Sequence, residues 1–249
     1  MPCIEFASVV KSYKPGLLQK QVLALDDVSF IVPSGTVFGL VGPNGAGKST
    51  SIRLLLQLMR ADGGCVRVDG CPVVVPAFLD RVGYLPENPY LYDHLTLSEL
   101  LFFAGAANGL PRSHIRERIQ VLAVRIGIEH ALKRRLRTFS KGMRQRAALC
   151  FALLHDPDLI VLDEPMSGLD PLGRKMVCDL VLDLKQQGKT IFFCSHILSD
   201  VERLCDGLAI LNKGRLVRTF SDAEMNAFRL GQMNLEEAFV ASVDGGGGG

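Results

Sequence analysis

One short stretch restricts the fold of this chain more than any other. It reads Gly42-Pro43-Asn44-Gly45-Ala46-Gly47-Lys48-Ser49-Thr50 and fits the phosphate-loop pattern G-x-x-x-x-G-K-[ST]. Thr36-Val37-Phe38-Gly39-Leu40-Val41 precedes it and reads as a buried strand. Ser51-Ile52-Arg53-Leu54-Leu55-Leu56-Gln57-Leu58-Met59 follows and reads as a helix. Glycines let the backbone wrap around phosphate oxygens without a Cβ in the way. The start of the helix aims free N–H groups and its positive dipole end at the same point. In such a cradle Lys48 reaches the β- and γ-phosphates of a nucleotide and Ser49 ligates Mg²⁺. The competing reading is a chance glycine turn ahead of a helix, and the strand before it tells against that.

A chain of 249 residues suits one large domain or two small ones, and a hydrophobic fraction of 48% is ample for a core. The net charge of +2 points to no particular partner. No apolar run approaches the roughly 18–20 residues needed to span a bilayer; the stretch 100–107 is too short. Met1-Pro2-Cys3-Ile4-Glu5 is not a charged segment leading into an apolar one, so no signal peptide is evident and a cytosolic protein is expected. Seven cysteines, an odd number with no C-x-x-C pair, argue against a disulfide framework or a zinc site. Most lie in apolar runs, where cysteine serves as a small buried hydrophobe.

In chain order, residues 4–10 read as a strand and 11–16 as a turn. Residues 22–24 and 28–32 read as two short strands broken by Pro33-Ser34-Gly35. Asp62-Gly63-Gly64 is expected to stop the helix after the phosphate loop, and 65–68 and 81–85 to be strands. Thr96-Leu97-Ser98-Glu99 fits a capping box ahead of an apolar helix. An amphipathic helix is expected over 115–126, ending at Gly127, and another from Ser140 to Leu154. Leu159-Ile160-Val161-Leu162 and Thr190-Ile191-Phe192-Phe193-Cys194 are continuous apolar runs, as buried parallel strands require. A helix is expected over 172–187 between them, a short one over 199–205, and a hairpin around Asn212-Lys213-Gly214. Residues beyond about 221 are mixed, with one amphipathic segment at 235–240 and a terminal run of five glycines that cannot be expected to fold.

Further motifs select among nucleotide-binding families. Residues 159–165 read LIVLDEP, a strand ending in the acidic pair Asp163-Glu164. Ser167-Gly168-Leu169-Asp170 follows. Phe139-Ser140-Lys141-Gly142-Met143-Arg144-Gln145-Arg146 lies upstream and His196 downstream of a strand. A GTPase would need Asn-Lys-x-Asp, and Asn212-Lys213-Gly214-Arg215 fails at the last position. The set in this order resembles the ATP-binding domain of ABC transporters, over residues from about 4 to 220. That resemblance implies an α/β fold: a P-loop NTPase core with a parallel sheet over about 1–87 and 155–220, an N-terminal antiparallel β subdomain, and an inserted α-helical subdomain over about 88–154. Residues 221–249 then form a C-terminal tail.

The resemblance also implies roles. ATP and Mg²⁺ are the expected cofactors. Asp163 holds Mg²⁺, directly or through water. Glu164 orients and deprotonates the attacking water, and His196 contacts the γ-phosphate. Tyr13 stacks on adenine, although the residues alone also allow an ordinary surface-turn tyrosine. Ser140 and Gly142, at a helix start, face the γ-phosphate held by a second copy, and Asp170 lies at the seam. The expected partners are therefore a second nucleotide-binding subunit, as a homodimer, and a separate transmembrane permease, with the chain peripheral on the inner face of the cell membrane. No nucleic acid is expected: the basic run 133–137 has no interleaved aromatics and reads as a solvated helix face or a contact near nucleotide phosphates.

Two motifs depart from the family pattern. Leu-Ser-Gly-Gly-Gln is here Phe139-Ser140-Lys141-Gly142-Met143, and the glutamine of the loop after the 81–85 strand is Glu87, a carboxylate still able to ligate Mg²⁺. Both variants resemble those of ABC-2-type export systems, which makes an energy-coupling ATPase of an exporter the leading expectation. The rival is a soluble ABC ATPase acting on the ribosome or DNA. Such forms usually carry a second cassette, a long coiled coil or a zinc module, and none of these is evident here.

Overall fold

Residues 2–13, 21–73 and 76–245 are described by the structure, a computed structural model. In chain order the strands and helices are β1 (Pro2–Tyr13), β2 (Val22–Pro33), β3 (Val37–Val41), α1 (Lys48–Leu55), β4 (Gly63–Val68), β5 (Cys71–Pro72), β6 (Val82–Leu85), α2 (Leu97–Ala107), α3 (Arg112–Ile126) and α4 (Lys141–Leu153). They continue as β7 (Leu159–Asp163), α5 (Pro171–Gln186), β8 (Thr190–Cys194), α6 (Leu198–Leu204), β9 (Gly207–Asn212), β10 (Arg215–Phe220), α7 (Asp222–Arg229) and α8 (Leu235–Gly245). The fold is α/β. The chain divides into two compact units, one from Met1–Pro76 with Thr190–Gly249 and one from Ala77–Lys189.

The first unit carries two sheets. In one, β3 lies between β8 and β9 and is parallel to both, Leu40 facing Cys194 on one side and Ala209 on the other. Every residue of β3 and β8 is buried, which is why both read as unbroken apolar runs rather than alternating ones. β10 folds back antiparallel on β9, completing the expected hairpin. The second sheet is antiparallel in the order β2-β1-β4-β5. Phe6 and Phe30 face each other across β1 and β2 with ring centroids 4.4 Å apart, and Phe30 stacks on Phe38 at 5.9 Å and Phe192 at 6.2 Å. These four rings join the two sheets into one core.

Several local expectations are corrected. No turn begins at Lys11: the strand runs to Tyr13 because Asp62 accepts from Lys11 Nζ at 2.7 Å, Ser12 N at 2.7 Å and Ser12 Oγ at 2.8 Å. The remainder of that expected turn, 14–16, lies outside the described residues. Residues 22–33 are one strand, not two, bent where Asp27 takes a left-handed φ of 53°. α1 starts at Lys48 and ends at Leu55, earlier than expected at both ends. Gln57, at φ 57°, turns the chain, and Leu58 N donates to Arg53 O at 2.9 Å. Gly63 and Gly64 do not stop this helix; they open β4, and Gly64 is needed because a Cβ there would sit 2.1 Å from the Ser8 carbonyl oxygen.

Residues beyond 220 form two helices over their described length, and the amphipathic segment expected at 235–240 falls in α8. Ser221 and Glu224 form a reciprocal capping box that starts α7, whose Met225 and Phe228 are buried. Arg229 donates to the carbonyls of Glu202, at 2.9 Å, and Cys205 at the end of α6. Asn212 Nδ2 donates to Val243 O of α8 at 3.1 Å. The final glycines, 246–249, lie outside the described residues.

The second unit pairs β6 with β7 in parallel, Leu85 beside Leu162, and packs α2, α3 and α4 together with α5 against α3. Thr96 caps α2 as expected: Oγ1 accepts from Glu99 N at 3.2 Å, and Glu99 Oε2 accepts from Thr96 N at 2.7 Å. Gly127 ends α3 in the left-handed region and Ser140 caps α4. The basic run 133–137 does not form a helix face. It spans short turns around the buried Leu136, with Lys133, Arg134, Arg135 and Arg137 exposed.

Candidate functional site

In the first unit the phosphate loop leaves the C-terminal end of β3. Ser195 and His196 leave the same end of the neighbouring β8. The carboxyl end of a parallel sheet is where α/β proteins bind ligands. Two of the loop glycines are fixed by the protein itself. A Cβ on Gly42 would lie 2.2 Å from the Leu211 carbonyl oxygen, and one on Gly47, at φ 113°, would meet Leu25 at 2.6 Å and the Ala24 carbonyl at 2.8 Å. Gly45, at φ 79°, has no neighbour within 4 Å of its Cβ position. The hairpin turn between β9 and β10 braces the loop from behind: Gly214 N donates to Ala46 O at 3.0 Å, and Gly214 O accepts from Asp26 N at 2.8 Å.

Lys48 folds over the loop, its Nζ donating to Gly42 O at 2.6 Å and Pro43 O at 3.2 Å. It opens α1, so Ser49 and Thr50 occupy the first turn, where backbone N–H groups have no partner within the helix. Ser49 is exposed, whereas Ser51 is buried and donates its Oγ to Gly47 O. Tyr13 closes this half. Its hydroxyl lies 3.3 Å from Thr50 Oγ1 and 3.2 Å from Met59 Sδ, so the ring is held against α1 rather than left loose in a turn. The strand end beneath it is secured by Asp62. The hydrogen bond from Lys11 Nζ, with those from Ser12 N and Oγ, pulls that carboxyl down to about 2. Ser195, buried, accepts at Oγ from Ile197 N at 3.1 Å and so fixes the turn that leaves His196 exposed.

The acidic residues belong to the second unit. Asp163 ends β7 and Glu164 follows, each only 8% exposed. Glu164 has φ 51°, a left-handed conformation that disfavours any residue with a Cβ. Its carbonyl accepts from Ser167 N at 3.0 Å. Glu87 follows the end of the parallel neighbour β6 and is exposed. Ser140 Oγ accepts from Met143 N at 3.3 Å, and Asp170 Oδ1 accepts from Gly173 N at 2.9 Å, so both are helix N-caps. Gly142 is half-buried with room for a Cβ, the nearest side-chain atom being Leu169 Cδ2 at 3.6 Å.

The motif reading assigned no role to Gln145, which is buried in α4 and donates from Nε2 to Pro165 O at 3.2 Å. That contact joins residues 20 positions apart and is invisible in the local pattern. The bracing of the loop by Gly214 and the packing of Leu25 on Gly47 are also absent from the motifs, since both are contacts between segments distant in sequence.

Residues 25–167 match the family model described as ABC transporter. An uncharacterised ABC transporter ATP-binding protein of Synechocystis sp. is 45% identical over 225 residues, covering 89% of this chain and 64% of that protein. The ABC transporter ATP-binding protein NatA of Bacillus subtilis is 40% identical over 202 residues, covering 80% of this chain and 82% of that protein. A solved ATP binding subunit of an ABC transporter superposes with a TM-score of 0.85 at 32% identity, covering 96% of this chain and 99% of that one. The chain thus spans less than two thirds of the length of the Synechocystis relative.

Proposed function

The chain belongs to the family of ABC transporter ATP-binding proteins, and from that premise we propose that it binds and hydrolyses ATP with Mg²⁺ to drive a membrane transporter. The observation that carries this reading is the phosphate loop at the carboxyl end of β3, braced by β2 and the β9–β10 turn, with His196 leaving the adjacent strand. In this reading residues 42–50 hold the phosphates through backbone N–H groups and the α1 dipole, and Tyr13 supports the base. Ser49 and Asp163 hold Mg²⁺, with Glu87 as a further oxygen ligand. Mg²⁺, when bound, neutralises charge on the β- and γ-oxygens. Lys48 moves from the loop carbonyls to the phosphates. Glu164 orients the attacking water and takes its proton, and His196 secures the γ-phosphate.

Ser140, Gly142 and Asp170 act across a homodimer. Gly142 supports this: among the described residues of its own unit nothing requires the missing Cβ, the nearest atoms being Leu169 Cδ2 at 3.6 Å and Gly168 O at 3.8 Å. Close approach of a ligand held by a second copy accounts for it. A separate transmembrane permease is the partner that ATP-driven closure would move. Among the described residues no helix is long and apolar enough to cross a membrane. Exposed aromatics follow the Glu87 loop, Tyr90 at 94% and Tyr92 at 52%, and suit a docked partner. Placement on the inner face of the membrane follows from that partner. The Glu87 and Lys141 variants favour an exporter.

Glu164→Gln tests the catalytic assignment. The variant is expected to bind MgATP as the wild type does while turnover falls by about 100-fold or more. Equilibrium binding and phosphate release measure the two. Hydrolysis at the wild-type rate would remove Glu164 from the mechanism.

A further inference from the structure

We propose that Gln145 is a positioning residue for Glu164, acting through the Pro165 carbonyl, so that the helix start at Ser140 and the water-activating carboxylate are tied together within one chain. This rests on the function proposed above. Gln145 is 1% exposed in a stretch of α4 that otherwise buries Ala147, Ala148, Leu149 and Cys150. A polar side chain so placed is costly unless it makes a bond the fold needs. Its Nε2 donates to the carbonyl of the residue directly after Glu164, at 3.2 Å.

Glu164 has reason to need such a tether. A non-glycine residue at φ 51° persists only where its surroundings over-determine it. On its N-terminal side, β7 is secured by the ladder to β6 up to Leu162. On its C-terminal side the supports include the turn bond from Ser167 N to Glu164 O and the bond from Gln145. The ring of Pro165 also keeps Glu164 out of the ordinary helical region.

A second side chain on the same helix face reinforces the tie. Lys141 is four residues before Gln145 and therefore adjacent to it on the helix surface. Its stem covers Gly168, where a Cβ would fall 2.6 Å from Lys141 Cδ and Cε, and its Nζ lies 3.5 Å from Ser167 Oγ. Lys141 directly follows Ser140. A displacement of the α4 start is therefore transmitted to residues 165–168 at two points, and through them to the backbone of Glu164.

The test uses the full chain carrying Gln145→Met, which keeps side-chain volume and removes the donor. For MgATP hydrolysis, kcat is expected to fall by about 10- to 100-fold with KM unchanged. On a Glu164→Gln background the same substitution is expected to add no further loss, because both act at one point. Hydrogen exchange of a peptide covering 164–169 is expected to quicken while one covering 42–50 is unaffected. An unchanged kcat and unchanged exchange, or losses that multiply in the double variant, overturn the proposal. If Gln145→Met does not fold, Lys141→Ala at its exposed site decides. Faster exchange over 166–169 with a smaller fall in kcat supports the tie, and no change in either overturns it. A wild-type chain with no MgATP turnover counts against the proposed function, and the exchange comparison then still decides the tie.

Discussion

Gly42, Gly45 and Gly47 share a motif but answer to different constraints. The first and last are required by packing, against the Leu211 carbonyl and against Ala24 and Leu25, while Gly45 has open space at its Cβ position and is required by its left-handed φ of 79°. The spacing of the motif made all three legible, but only the partners from β2 and β9 separate their roles, and these come from residues remote in sequence. His155 is a residue no motif marks. Burial lowers its pKa, the hydrogen bond between Nε2 and the Val82 carbonyl, 3.2 Å, opposes this, Arg118 lowers it further, and Asp156 and Asp80 raise it. The folded chain thus takes up this proton less readily than the unfolded chain. The stability this contributes is complete above the ordinary histidine value of 6.5 and is lost as the pH falls below it. The urea midpoint of the wild type should therefore drop on going from about pH 7.5 to about pH 5.5. His155→Gln keeps a donor without titrating in that window, and its midpoint should drop less.

At the level of elements, the parallel strands within each unit were legible because burial on both faces writes a continuous apolar run, as in β3, β7 and β8. Helices with a cap signal were legible for the same local reason, as with Thr96 and Glu99. α7 carries an equivalent signal in Ser221-Asp222-Ala223-Glu224, but the helix it opens is short and precedes mixed sequence. β1 and β2 resisted boundary assignment. Side-chain bonds to Asp62 extend one, and a left-handed Asp27 keeps the other continuous through a bend. α7 also serves α6, since Arg229 satisfies carbonyls at the α6 C-terminus that the helix cannot satisfy itself. Arg229→Ala should cost about 2 kcal/mol, the range for bonds from a charged donor, measured by urea denaturation. Amide exchange over residues 198–206 should quicken in the same variant, whereas exchange in α4 should not change.

For the whole molecule, the order of motifs was sufficient for the fold class, while the bounds of the two compact units rest on more than motif order. Compactness is decided by contacts between the chain's two ends, which no local window contains. The function proposed above turns, at this scale, on association. If Ser140 and Gly142 complete a second copy's site, Glu164→Gln with MgATP should sediment at twice the 27.2 kDa chain mass, and with ADP at that mass. A single 27.2 kDa species in saturating MgATP would count against the shared site. The same division has a consequence for how the protein is made. β3 has both its neighbours, β8 and β9, in residues 190–212, whereas β6 and β7 find each other within 77–189. A ribosome adding about 5–20 residues per second leaves β3 with two unpaired edges for on the order of ten seconds. The strand that carries the nucleotide loop is thus translated early and sheltered late. A nascent chain stalled near residue 189 exposes an apolar, edge-open strand of the kind that draws chaperones or a second copy of itself.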